Sequence, residues 1–120
     1  MGTVLVVDDE PDVRLIARMV LQADGFEVDE VSTGEAALEA LDRQRADVLL
    51  LDIRMPGIGG WEVLNRVRSD PALAGLPVVV FTADLGASSE APEHLDASQV
   101  LLTKPFRADD LLAAVRAVTA

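Results

Sequence analysis

The segment Thr3-Val4-Leu5-Val6-Val7 stands directly before the acidic run Asp8-Asp9-Glu10. Five residues are too few for a helix, and these β-branched and leucine side chains are typical of a strand buried on both faces. Residues 10–23 follow, with apolar side chains at helical spacing at Val13, Ile16, Ala17, Val20 and Leu21. Asp9 is a candidate cap for this helix. The pattern therefore predicts a strand followed by an amphipathic helix.

The same alternation continues to the end of the chain. Further strands are predicted at residues 26–31, 47–51, 76–82 and 100–103, and helices at 33–45, 61–68, 91–95 and 108–118. Ser88, Ser89 and Pro92 leave room for only a short or irregular fourth helix. Acidic residues interrupt the second strand, which places it at or near an edge. Such alternation predicts an α/β fold with five parallel strands and five helices, doubly wound because helices cover both faces of the sheet.

Composition narrows the class of protein. The chain has 120 residues, 50% of them hydrophobic, which suits a single domain over residues 1–120 with its own core. A net charge of −11 argues against direct binding of nucleic acid. No apolar stretch approaches the roughly 20 residues that cross a bilayer. With no cysteine in the chain, we expect a cytoplasmic domain that does not bind membranes.

Polar residues stand at the carboxyl ends of four predicted strands. Asp8 and Asp9 follow the first, Asp52 the third, Thr82 the fourth and Lys104 the fifth. The second strand ends in nothing comparable. Because functional groups of open α/β sheets collect at the carboxyl ends of the strands, we expect these five side chains to meet in one crevice.

This combination of residue types suits phosphoryl chemistry. Three converging carboxylates repel one another, and a hard divalent cation such as Mg²⁺ relieves the repulsion. Attack of the Asp52 carboxylate on phosphorus would give an acyl phosphate. Lys104 and the Thr82 hydroxyl can hold the phosphoryl oxygens. Each residue alone is more simply a cap, a turn or a surface charge, but their joint placement indicates a functional site.

With these residues identified, the chain resembles the receiver domain of two-component response regulators along its whole length. The matching segments are residues 4–10, 51–57, 81–83 and 104–106. The resemblance implies a flavodoxin-like fold with strand order 2-1-3-4-5. It also implies that Asp52 is the phosphoacceptor in a phosphorelay. The phosphoryl donor would be a phosphohistidine on a sensor histidine kinase or a histidine phosphotransfer protein.

The resemblance also implies a ligand set for Mg²⁺, with Mn²⁺ as an alternative ion. Asp9 would be a direct ligand and Asp8 would act mainly through water, while Asp52 and the backbone carbonyl of Arg54 complete the protein ligands. Ala83 is small in this family and leaves room for the phosphoryl group.

One departure from the family pattern concerns the switch residue. The family's switch aromatic lies three residues before the lysine, and here that position is Leu101. The usual coupling between Thr82 and an aromatic ring is therefore absent or altered. Arg54 and Asp84 occupy positions that flank the phosphorylation site in this family, and they are candidates for tuning the phosphoryl lifetime.

Three alternative functions fit the residues less well. A receiver used for docking without phosphorylation is kept in view by Leu101. A phosphohydrolase of the aspartyl-phosphate type needs a carboxylate two residues after the nucleophile, where this chain has Arg54. A nucleotide-binding module needs a glycine-rich loop in place of Asp8-Asp9-Glu10. The readout is either contact with a downstream protein or an output domain carried elsewhere in a longer protein.

Overall fold

Parallel strands form the centre of the molecule in a computed structural model that describes residues 2–43, 46–55, 57–82, 99–103 and 107–119. Residues 82 and 99–103 are described by their backbone. The five strands are β1 (Thr3–Val7), β2 (Glu27–Val31), β3 (Val48–Asp52), β4 (Val78–Thr82) and β5 (Gln99–Thr103). The described helices are α1 (Pro11–Ala23), α2 (Gly34–Arg43), α3 (Gly60–Ser69) and α4 (Ala108–Thr119).

The sheet has the order β2-β1-β3-β4-β5, and all four neighbouring pairs are parallel. This is the predicted strand order, and β2 lies at the predicted edge. The acidic residues of β2 are tolerated there because one side of an edge strand faces solvent. The predicted short helix at residues 91–95 lies outside the described residues.

Both faces of the sheet are covered, as the near-continuous apolar strands predict. Every residue of β3 is buried, and successive side chains point to opposite faces. Leu49 and Leu51 belong to a core with residues of α2 and α3, while Val48 and Leu50 belong to a core with residues of α1 and α4. The two cores thus fix the sheet between two helical layers.

Helix α1 departs from the sequence prediction in two ways. Ile16, predicted to face the core, has 51% of its surface exposed, because the buried stripe of α1 is narrower and contains Ala17 and Leu21. Asp9 does not cap the helix. The residue before α1 is Glu10, and its backbone N–H is held by the preceding Asp8 side chain.

Helix α2 begins with a side-chain cap from Thr33. The backbone N–H of Ala36 donates to Thr33 Oγ1 at 3.0 Å. The described helix ends at Arg43, and residues 44–45, which the prediction included, lie outside the described residues.

Candidate metal and phosphoryl site

Two buried aspartates lie side by side at the carboxyl edge of the sheet. Asp8 follows β1 and Asp52 ends β3, and these strands pair in parallel with Val7 opposite Leu51. Asp8 has 0% of its surface exposed and Asp52 has 2%. Aspartate is rarely buried so completely unless it is paired or binds a metal, so both residues point to a function.

Asp9 and Glu10 add two exposed carboxylates beside this buried pair. One carboxylate oxygen from each of Asp8, Asp9, Glu10 and Asp52 lies within 4.8 Å of the other three. We call these four residues the acidic group. A set of oxygen donors this close suits a hard divalent cation such as Mg²⁺, which would offset the repulsion among the carboxylates. The acidic group could therefore hold a metal ion.

Backbone N–H groups fix the two buried carboxylates. Asp8 Oδ1 accepts a hydrogen bond from the N–H of Glu10 at 2.8 Å. Asp52 Oδ1 accepts one from the N–H of Arg54 at 3.1 Å. In both cases the aspartate binds the N–H two residues later, a local turn that aspartate favours. These bonds leave the side chains little freedom to rotate away from the crevice.

The start of α3 packs directly onto the end of β3. Gly60 N–H donates to the carbonyl of Ile53 at 3.2 Å. A Cβ on Gly60 would lie 2.4 Å from Ile53 Cα and 2.5 Å from the Asp52 carbonyl oxygen. Only glycine allows this approach, which places α3 against the backbone of Asp52.

A family model for the response regulator receiver domain matches residues 4–116. The chain belongs to this family. A response regulator from Chloroflexus aurantiacus superposes with a TM-score of 0.90 at 32% identity, covering 98% of this chain and 97% of that one. TrrA from Thermotoga maritima, solved in complex with Mg²⁺-BeF, gives a TM-score of 0.87 at 33% identity, covering 98% and 99%.

A longer relative places the receiver domain in context. The phosphate regulon transcriptional regulatory protein PhoB of Rhizobium meliloti is 35% identical over 116 residues, which cover 96% of this chain and 51% of PhoB. The chain spans about half the length of the curated relatives that it matches. Among the described residues of this receiver domain, no helix is both long and apolar enough to cross a membrane.

The receiver domain brings Asp8, Asp9 and Asp52 together as the sequence predicts. Thr82 ends β4, one residue beyond Phe81, the partner of Asp52 in the neighbouring strand. Arg54 is exposed, and its backbone N–H holds Asp52.

The other predicted site residues are less fully described. Leu101 lies in β5 opposite Val80. Lys104, Ala83 and Asp84 lie outside the described residues, so their predicted roles stay predictions.

Three contributors to the receiver site were missed by sequence reasoning. Glu10 has no predicted role in the sequence, yet its carboxylate joins the acidic group. The other two act on the backbone of Asp8: the carbonyl of Val31 accepts its N–H, and Arg14 donates to its carbonyl. The second strand thus ends in no polar side chain comparable to the others, as predicted, and it contributes a backbone carbonyl. Val31 is the last residue of β2, and its backbone contact leaves no side-chain signal in the sequence.

Proposed function

We propose that this receiver domain accepts a phosphoryl group onto Asp52 in a two-component phosphorelay and switches its protein–protein contacts as a result. The observation that carries the proposal is the acidic group, in which the buried Asp52 carboxylate lies within 4.8 Å of three further carboxylates. Membership of the receiver family supplies the reaction class. The donor is a phosphohistidine on a sensor histidine kinase or a histidine phosphotransfer protein.

In the transfer step, a carboxylate oxygen of Asp52 forms a bond to phosphorus while the phosphorus–nitrogen bond of the donor breaks. The electron pair of that bond returns to the imidazole, which then takes up a proton. The protein contributes mainly by positioning the nucleophile, because a backbone hydrogen bond holds the Asp52 side chain toward the crevice. The product is an acyl phosphate on Asp52.

The metal ligands in this proposal are Asp8, Asp9, Asp52 and the backbone carbonyl of Arg54. Asp9 would bind Mg²⁺ directly and Asp8 mainly through water, with Mn²⁺ as an alternative ion. When bound, the ion supplies positive charge against which an anionic donor can approach anionic Asp52. The Mg²⁺-BeF complex of TrrA, at 33% identity, supports this ligand class.

Thr82 and Lys104 complete the proposed site by holding oxygens of the phosphoryl group, with Ala83 leaving room for it. Arg54 and Asp84 would tune the lifetime of the acyl phosphate. We expect slow autodephosphorylation, because Arg54 stands where a phosphohydrolase would need its second carboxylate. The domain is thus a signalling phosphoacceptor and not a metabolic enzyme.

The phosphorylated domain would contact a downstream protein or an output domain in the cytoplasm. The net charge of −11 disfavours direct contact of this domain with nucleic acid. Leu101 in the switch position implies that the readout does not depend on an aromatic ring.

The test is incubation of the purified domain with acetyl phosphate and Mg²⁺, followed by intact-mass measurement. We expect the mass to rise by one phosphoryl group, and we expect EDTA to prevent the increase. Peptide mapping after hydride reduction of the acyl phosphate should locate the modification at Asp52. Absence of any increment would remove the proposal and favour a receiver that docks without phosphorylation.

A second prediction concerns the charge of Asp8. Because Asp8 is fully buried among three other carboxylates, Asp8→Asn should stabilise the metal-free protein. We expect a gain of about 1–2 kcal/mol from relief of like-charge repulsion. The asparagine keeps an oxygen for the Glu10 N–H. Thermal unfolding in EDTA and in Mg²⁺ measures both this gain and the expected loss of stabilisation by the ion.

The matched control is Asp29→Asn, which removes the same charge from an exposed position on β2. Its unfolding free energy should change by no more than about 0.5 kcal/mol, as for most surface substitutions. A metal-free Asp8→Asn protein that is less stable than wild type would contradict the prediction.

A further inference from the structure

The turn between β1 and α1 carries three of the four acidic residues, and its path depends on the peptide groups of Asp8. The N–H of Asp8 donates to the carbonyl of Val31 at 3.2 Å. The carbonyl of Asp8 accepts a hydrogen bond from Arg14 Nη1 at 2.7 Å. The backbone of Asp8 is therefore held at both its N–H and its carbonyl.

Arg14 is itself held by the end of β2. Its Nε lies 3.4 Å from Glu30 Oε1, and the two side chains are only 20% and 23% exposed. Glu30 Oε2 also pairs with Arg18 Nη1 at 2.8 Å. Arginine suits this place because its planar fork can donate to a carbonyl and a carboxylate at once, which a lysine ammonium does less well.

We propose that Arg14 is a positioning residue for the metal site, bridging the Asp8 carbonyl to Glu30 so that the turn is shaped for Mg²⁺ before the ion arrives. This inference rests on the proposed function. It makes β2 part of the receiver site, although β2 supplies no residue to the acidic group. Replacing a residue that orients metal ligands from outside the ligand set typically lowers metal affinity by about 10- to 100-fold.

An electrostatic role and a positioning role of Arg14 predict opposite changes in Mg²⁺ affinity when Arg14 is replaced. A guanidinium near the acidic group repels a divalent cation, so removing its charge alone should tighten Mg²⁺ binding. Removing the bridge should loosen the turn and weaken binding. The sign of the change in affinity thus separates a positioning role from simple electrostatics.

The experiment is calorimetric titration of the intact domain with MgCl₂, comparing wild type, Arg14→Met and Arg18→Met. The two variants lose the same charge and the same type of contact with Glu30. Among the described residues, however, Arg18 makes no hydrogen bond to the Asp8 backbone. We expect Arg14→Met to weaken Mg²⁺ binding about tenfold, as for loss of other ligand-orienting partners. Arg18→Met should bind Mg²⁺ within about twofold of wild type, because the Arg18 side chain is 42% exposed and ion pairs of exposed side chains contribute little.

A kinetic readout adds a second measurement. In phosphorylation by acetyl phosphate, the Mg²⁺ concentration for half-maximal rate should rise about tenfold in Arg14→Met, matching the binding loss. The rate at saturating Mg²⁺ should stay near wild type, because bound ion then holds the ligands in place. A general loss of structure would lower both quantities, so this separation is specific to a positioning role.

Other outcomes overturn the inference. Tighter Mg²⁺ binding by Arg14→Met would assign its effect to charge, and an equal loss in Arg18→Met would assign it to general packing of α1 on β2. If Arg14→Met does not fold, Arg14→Lys keeps the charge but lacks the fork, and wild-type affinity in that variant would refute the bridge. Failure of the wild type to bind Mg²⁺ would instead refute the proposed function on which the inference rests.

Discussion

Asp52→Asn is expected to take up no phosphoryl group from acetyl phosphate in the presence of Mg²⁺ while remaining folded. The amide lacks the anionic oxygen that attacks phosphorus, so the loss of incorporation should be complete. Asparagine has nearly the same shape, and its oxygen can still accept the Arg54 N–H that Asp52 accepts at 3.1 Å. Intact-mass measurement gives the incorporation, and thermal unfolding reports the fold.

The matched control for this prediction is Asp12→Asn, which makes the same chemical change at an exposed position in the first turn of α1. Its incorporation should equal that of wild type. Mg²⁺-dependent phosphorylation that persists in Asp52→Asn would show that another carboxylate is the acceptor. In that event Asp52 would be reduced to a metal ligand.

The fold was predictable where one physical signal dominates. The apolar run at residues 48–51 is too short for a helix and predicts a strand covered on both faces, and every residue of β3 is buried. Helix α1 was harder, because apolar spacing shows which side chains can face the core and not which ones do. Ile16 fits the apolar spacing, yet it is 51% exposed.

The candidate site was predictable to the extent that its side chains end neighbouring strands. Asp8 and Asp52 met this condition, and the structure places them together. The hold on the Asp8 backbone by Val31 and Arg14 was not predictable. It depends on the register of β2 against β1 and on main-chain groups, and side-chain identities specify neither.

Gly60→Ala is expected to damage both stability and phosphorylation, because Gly60 lies against the backbone that carries Asp52. The added Cβ would meet Ile53 Cα at 2.4 Å and the Asp52 carbonyl oxygen at 2.5 Å, and backbone atoms cannot move aside as a side chain can. We expect a loss of about 2–3 kcal/mol in unfolding free energy, the upper part of the usual range for overpacking. The helix propensity of alanine offsets at most about 1 kcal/mol of the clash.

Gly59→Ala is the matched control, one residue away. Its Cβ would have the Ile53 carbonyl oxygen as its near neighbour at 3.4 Å, an ordinary contact. Denaturant unfolding should therefore separate the two variants by about 2 kcal/mol or more. Phosphorylation should separate them further, since a shift of about 1 Å in a reacting group can cost on the order of 100-fold in rate. If Gly60→Ala matched Gly59→Ala in stability and rate, α3 could move away from β3 without disturbing Asp52, and the close approach at Gly60 would have no part in placing the phosphoacceptor.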